Sequence, residues 1–80
     1  IITCINGSFI DIILDPNGTG SVVVNANHLN ISTAKTPATS VGASGDTTGD
    51  IAWDSGYIYI CTADYDGSTQ IWKRAAIATW

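Results

Sequence analysis

The side chains of this chain favour strands along almost its whole length. It contains twelve Ile, four Val and ten Thr, but only two Leu and neither Met nor Glu. β-Branched residues lose rotamer freedom in a helix and pack well on the pleated surface of a sheet. No window repeats apolar residues at the i, i+3, i+4 and i+7 positions of an amphipathic helix over more than two turns. The sequence therefore predicts an all-β fold with almost no helix.

The chain is also short for its apolar content. Its 80 residues are 45% hydrophobic and 12% charged, which suits one small domain that buries only roughly 60–65% of its unfolded surface. Such a low charge leaves a monomer with little polar surface to face water, so we expect burial against another chain. Because the first residue is Ile1, we also expect a processed or fragmentary part of a longer polypeptide.

The acidic balance argues against several classes of partner. Three basic residues against seven Asp give a net charge of −4, whereas a duplex nucleic-acid binder needs clustered Lys and Arg. No apolar run approaches the roughly 20 residues of a membrane span, so membrane insertion is not expected. Cys4 and Cys61 are too far apart for a CxxC motif, and two buried free thiols are favoured over a single bridge.

Short apolar runs separated by Asn, Gly and Pro fill residues 1–35. Strands are predicted at 8–14, 21–25 and 29–32, with a turn at 15–20 where Pro16 fixes φ and Gly18 allows positive φ. Each strand is too short to stand alone. This pattern is typical of a fibrous β-structure, and it predicts a shaft whose core or subunit interface contains Ile10, Ile12, Val22 and Val24.

The segment from 36 to 49 loses almost all large side chains. Ala, Thr, Ser and Gly dominate it, with Pro37 and Val41 as exceptions. This composition fits an exposed flexible linker, and it fits equally an extended ribbon in which three backbones lie close together. Both interpretations stay open.

Residues 50–80 carry most of the aromatic side chains and predict a three-stranded antiparallel meander. Strands are expected at 51–53, 57–62 and 70–74, with turns at 54–56 and 64–68. In the second strand the odd-numbered residues point to one face and the even-numbered residues to the other, so both faces are apolar and need cover. Trp53 and Trp72 are placed on neighbouring strands. The core or the subunit interface is predicted to contain Ile51, Trp53, Tyr59 and Trp72.

No residue pattern indicates catalysis. His28 is the only histidine and sits among Asn residues in a turn-like break, so a nucleophile–histidine pair is not expected. Most of the Asp residues adjoin Gly, Ser, Asn or Pro, as turn residues do. The stretches at 64–67 and 15–18 resemble the opening of a calcium loop but lack its closing acidic ligand. We predict no enzyme activity, no cofactor and no metal site.

The sequence GDIAWDSGYIYIC at 49–61, followed by WKR at 72–74, resembles the C-terminal module of bacteriophage fibre and virion structural proteins, including those of cyanophages. The resemblance covers roughly half of the chain. The segment LDPNGTGSVVVN at 14–25 is similar to segments of phage fibre shafts. The loop from 63 to 69 is longer than in many relatives.

The resemblance implies a non-enzymatic structural segment of a virion, assembled in the host cytoplasm. It would be an intertwined homotrimer at the C-terminal tip of a tail or capsid fibre, in contact with other virion proteins. Lys73 and Arg74 are expected to form interchain ion pairs with Asp50 or Asp54. A host-surface glycan is a candidate partner, through a contact loop of Asp64, Tyr65 and Asp66. The alternative is a capsid decoration protein without a receptor-binding role.

Overall fold

A computed structural model describes residues 13–14 and 18–80 of the chain. Its strands are β1 (Ile51–Trp53), β2 (Tyr57–Cys61) and β3 (Trp72–Ala76), which form one antiparallel sheet in the order β1-β2-β3. The described residues contain no helix, and therefore none that could cross a membrane. The predicted all-β class and the three-stranded meander are confirmed for this part of the chain.

The third strand lies two residues further along the chain than the sequence predicts. It begins at Trp72 and continues to Ala76, where the Ile77 N–H donates a 3.0 Å hydrogen bond to the Gly56 carbonyl. The ladder between β2 and β3 thus extends as far as the turn that joins β1 and β2. The sheet consequently includes Ala75 and Ala76, whose small side chains gave little strand signal.

Asp54 makes the turn between β1 and β2. Its Oδ1 accepts the backbone N–H groups of Gly56 at 2.8 Å and Tyr57 at 2.9 Å, and its own N–H donates to the Tyr57 carbonyl. An Asp side chain that bonds the backbone two and three residues onward stabilises a tight turn. The Asp54-Ser55-Gly56 sequence therefore reverses the chain with its backbone groups satisfied.

The strand register divides the side chains of the sheet between two faces. Ala52 pairs with Tyr59 and Tyr59 with Arg74, so these three lie on one face. We call this the covered face; it comprises Ala52, Tyr57, Tyr59, Cys61, Trp72, Arg74 and Ala76. We call the other the open face; it comprises Ile51, Trp53, Ile58, Ile60, Lys73 and Ala75. Every buried strand residue is on the covered face.

Residues 36–49, here called the cover segment, pack along the sheet and do not extend away from it. The Ser40 carbonyl accepts hydrogen bonds from the N–H groups of Ile71 and Trp72, and the Gly49 N–H donates to the Cys61 carbonyl at 2.8 Å. Tight turns within the segment are closed by hydrogen bonds from Gly42 to Thr39 and from Asp46 to Ala43. The cover segment is therefore packed against the sheet and is not a flexible linker within this chain. Its small side chains let its backbone lie close to the strands.

The predicted strands at 21–25 and 29–32 are not present in the single chain. No described residue before Ile51 forms a strand. Val22 and Val24 are about half exposed, at 55% and 52%. A short strand needs a partner for its backbone groups, and a single chain offers none to this region. A shaft formed between chains stays a prediction, and Ile10 and Ile12 lie outside the described residues.

The placement of two tryptophans also corrects the prediction. Trp53 is on β1 and Trp72 is on β3, so β2 separates them, and they lie on opposite faces of the sheet. Trp72 is 7% exposed whereas Trp53 is 37% exposed. Among the described members of the predicted core or interface set, only Trp72 and Tyr59 are buried within one chain.

Candidate functional site

The open face is an apolar surface that the described residues leave largely uncovered. Ile51, Ile58 and Ile60 are 54%, 42% and 45% exposed. Cross-strand pairing aligns them in two adjacent rows, Ile51–Ile60–Lys73 and Trp53–Ile58–Ala75. A contiguous apolar patch on a protein surface often marks an interaction site, whereas apolar residues exposed singly are common and carry no such meaning.

A groove borders the open face where residues 28–31 pass beside β1. The Trp53 indole Nε1–H donates a 2.7 Å hydrogen bond to the Ile31 carbonyl, and the Lys35 N–H donates to the Trp53 carbonyl at 2.9 Å. These two bonds hold the preceding chain beside the sheet. The groove has a volume of about 630 Å³ and is lined by His28, Leu29, Asn30, Ile31, Ile51, Trp53 and Ile58. Its lining is mainly apolar, so it extends the open face.

The covered face is closed by carboxylates that bond the cover segment. Asp54 Oδ2 accepts the hydroxyl of Thr36 at 2.6 Å and the hydroxyl of Tyr59 at 2.5 Å. The bond from Thr36, followed by that from Tyr59, holds the pKa of the Asp54 carboxyl well below its usual range. The same carboxylate raises the pKa of the Tyr59 hydroxyl. Asp54 thus joins the first residue of the cover segment to β2 as well as shaping the β1–β2 turn.

A second carboxylate closes the other end of the cover segment. Asp46 Oδ2 accepts the Trp72 Nε1–H at 2.9 Å and the Ala43 N–H at 2.8 Å, and Lys35 lies 3.9 Å from Oδ1. The indole bond is the largest cause of the lowered pKa of Asp46. Gly42 has φ of 79° and passes so close that a Cβ there would lie 2.6 Å from Asp46 Oδ2. The buried indole of Trp72 is therefore held between the sheet and the cover segment.

The predicted contact loop uses its carboxylates to organise its own chain. Asp64 accepts the N–H and the hydroxyl of Thr48, each at 3.0 Å, and both bonds lower its pKa. Asp66 accepts the N–H groups of Ser68 and Thr69, and the Thr69 hydroxyl is the main cause of a pKa lowered to about 2. Tyr65 is 39% exposed. Of the three predicted contact residues, Tyr65 has the side chain best placed to meet a partner.

The two adjacent basic residues point to opposite faces of the sheet. Lys73 is on the open face beside Ile60 and donates to the Gln70 carbonyl at 3.3 Å. Arg74 is on the covered face, with its guanidinium carbon 4.2 Å from the centroid of the Tyr57 ring. Among the described residues neither forms an ion pair with a carboxylate. Interchain pairs with Asp50 or Asp54 stay a prediction.

Groups that could support catalysis or metal binding are not brought together in the described part of the chain. Cys61 is a free, buried thiol that donates to the Ala63 carbonyl, and Cys4 lies outside the described residues. Within residues 13–14 and 18–80, no three His, Cys, Asp or Glu side chains are grouped as metal ligands would be. His28 lines the groove beside the open face.

Sequence reasoning missed the roles of Asp46 and Gly42. Asp46 and Trp72 are 26 positions apart, so no local pattern links them. The composition of the cover segment was the signal that could have indicated this packing. Its side chains are small, so a large indole can pack against its backbone.

Comparison with known proteins gives no relative for this arrangement. No protein-family model matches the chain, and no curated protein or solved structure matches it with significant similarity.

Proposed function

We propose that the chain is a structural, non-enzymatic segment of a phage virion that assembles with copies of itself, as a homotrimer, through the open face. The observation that carries the proposal is the contrast between the two faces of one sheet. The cover segment closes the face that contains Trp72 and Tyr59, whereas Ile51, Trp53 and Ile58 remain exposed on the other. The assignment to a virion rests on the resemblance of residues 49–61 and 72–74 to phage fibre modules.

Covering the open face contributes favourable free energy to association. Fully burying an aliphatic side chain stabilises by about 1.5–3 kcal/mol, so covering a side chain that is half exposed contributes about 1 kcal/mol. Ile51, Trp53, Ile58 and Ile60 each have that much surface left to bury. Association also has entropic costs, so the patch needs contacts from more than one neighbour or an additional interface. A ring of three copies supplies two neighbours to each subunit.

The outer edge of β3 is a second place for contact between copies. The Trp72 N–H bonds to Ser40 on this edge, and in the observed register the backbone groups of Arg74 and Ala76 face the same way. Neither residue makes a backbone hydrogen bond to a described segment outside the sheet. An unpaired edge strand can accept a strand from another chain. Pairing there would continue the sheet into a neighbouring subunit.

The experiment compares two substitutions of the same kind. Ile58→Lys places a charge at the centre of the open face, whereas Val23→Lys places one on a side chain that is 79% exposed and distant from the sheet in sequence. Size-exclusion chromatography with light scattering should show that Ile58→Lys lowers the oligomeric mass and Val23→Lys does not. Equal masses for both variants and the wild type would refute assembly through this face.

Fibre and capsid-decoration roles would be distinguished on the particle. A cryo-EM reconstruction of the virion should place residues 50–80 at a free fibre tip in the first case and flat against the capsid in the second. A host-surface glycan as partner is supported only by the exposed Tyr65. Tyr65→Ala should then reduce adsorption to host cells without changing the oligomeric mass; unchanged adsorption would remove the loop from that role.

A further inference from the structure

A cavity of about 360 Å³ lies between the cover segment and the covered face of the sheet. Its walls include Pro37, Thr39 and Ser40 from the cover segment, and Tyr59, Trp72 and Arg74 from the sheet. The volume falls within the roughly 300–1,000 Å³ of small-molecule sites, which combine apolar walls with a few converging polar groups. The cavity is separate from the open face, because it is on the other side of the sheet.

The hydrogen-bond donors that remain for a ligand can be identified from the contacts around the cavity. The hydroxyl protons of Thr36 and Tyr59 are given to Asp54, and the Trp72 Nε1–H is given to Asp46. The side-chain donors left on the walls are therefore the guanidinium of Arg74 and the hydroxyls of Thr39 and Ser40. Arg74 also stacks on the Tyr57 ring, which limits the orientations of its planar group.

Arg74 brings a positive charge to the cavity of an acidic chain. The chain has a net charge of −4, yet Arg74 forms no ion pair with any carboxylate among the described residues. The two carboxylates that hold the cover segment already have partners: Asp46 and Asp54 accept hydrogen bonds from neutral donors, and Asp46 also lies 3.9 Å from Lys35. A guanidinium without a partner beside hydroxyl donors provides a place for an external carboxylate, which Arg binds through two parallel N–H···O bonds.

We propose that this cavity binds a small hydroxylated carboxylate. The carboxylate contacts Arg74, the hydroxyl groups exchange hydrogen bonds with Thr39 and Ser40, and the carbon skeleton lies against Pro37 and the indole of Trp72. The proposal does not depend on assembly through the open face, because none of these groups belongs to that face. With a single charged contact and an acidic protein, we expect a dissociation constant on the order of millimolar.

The test is an NMR titration of the full chain with sodium glucuronate as the probe, followed through the indole N–H signals and the backbone amides. Saturable shifts should occur at Trp72, Ser40 and Thr39. Glucose, which has the hydroxyls without the carboxylate, and acetate, which has the carboxylate without the hydroxyls, should each bind at least about fivefold more weakly. Arg74→Gln should weaken glucuronate about tenfold, because it removes a hydrogen bond to a charged group.

Lys73→Gln is the matched control, since it removes the same charge from the adjacent residue on the open face; glucuronate binding should be unchanged. Arg74→Lys should restore only part of the affinity, because an ammonium lacks the planar fork. The proposal is overturned if glucose and glucuronate bind alike, if the two Gln variants bind alike, or if no signal saturates. If Arg74→Gln instead lowers the oligomeric mass and glucuronate does not bind, Arg74 serves a carboxylate of a second copy and the ligand proposal is wrong.

Discussion

Replacing Trp72 should destabilise the chain more than any other single aromatic substitution in the meander. Its side chain is 7% exposed, and its Nε1–H bonds to Asp46 at 2.9 Å. Truncating a buried Trp to Ala removes packed surface and leaves a cavity, at a cost of about 3–5 kcal/mol. The total stability of a small domain is about 5–15 kcal/mol, so Trp72→Ala should leave the module unfolded or barely folded. If assembly requires this fold, the variant should also fail to form the oligomer.

Two further variants separate the packing of Trp72 from its hydrogen bond. Trp72→Phe keeps an aromatic ring but removes the N–H donor to a carboxylate, and should cost about 1.5–3 kcal/mol. Tyr65→Ala removes a side chain that is 39% exposed in a loop, so it should change the stability by about 0.5–1 kcal/mol and leave assembly intact.

The assay is urea unfolding followed by far-UV circular dichroism at one fixed protein concentration, because the stability of an oligomer depends on concentration. The expected order of midpoints is wild type, Tyr65→Ala, Trp72→Phe and Trp72→Ala, from highest to lowest. Small and equal shifts for Trp72→Ala and Tyr65→Ala would mean that the indole is not buried, and the proposed covered face would be wrong.

Three further predictions concern the cover segment. Gly42→Ala should lower the melting temperature more than Gly45→Ala, since both positions have positive φ but only a Cβ at 42 would collide with Asp46 and Trp72. Asp54→Asn should lower the melting temperature and accelerate amide exchange at the β1–β2 turn, because an amide cannot replace every bond that the carboxylate accepts. The pKa of Asp54 is lower in the folded state than that of an exposed Asp in the unfolded chain, so the unfolded state binds more protons as the pH falls. The melting temperature should be constant above about pH 5, decline below about pH 4, and decline less in Asp54→Asn.

Local sequence signals predicted the parts of the fold that depend on neighbouring residues. The alternation along β2 predicted which side chains share a face, and Asp54-Ser55-Gly56 predicted a turn. The sequence could not predict which face the chain itself would cover, because both faces are apolar. Which face is covered depends on the hydrogen bonds that the Ile71 and Trp72 N–H groups donate to the Ser40 carbonyl, between residues about 30 positions apart.

Strand propensity alone did not predict the backbone of residues 21–25 and 29–32 in the single chain, where neither segment forms a strand. Val and Ile favour strands in both segments, but strand formation also requires a neighbouring backbone, which propensity does not supply. The contact loop was similarly only half predictable. Its exposed Tyr65 was expected, whereas the bonds of Asp64 to Thr48 join residues 16 positions apart.

The most direct test of the central claim is the mass of the wild-type chain in solution. Sedimentation equilibrium over a micromolar range of concentrations should give three times the monomer mass of 8.4 kDa, and the mass should fall towards that of the monomer when Ile58 is replaced by Lys. A wild-type chain that sediments as an 8.4 kDa monomer and yet retains a cooperative unfolding transition would contradict assembly into a trimer.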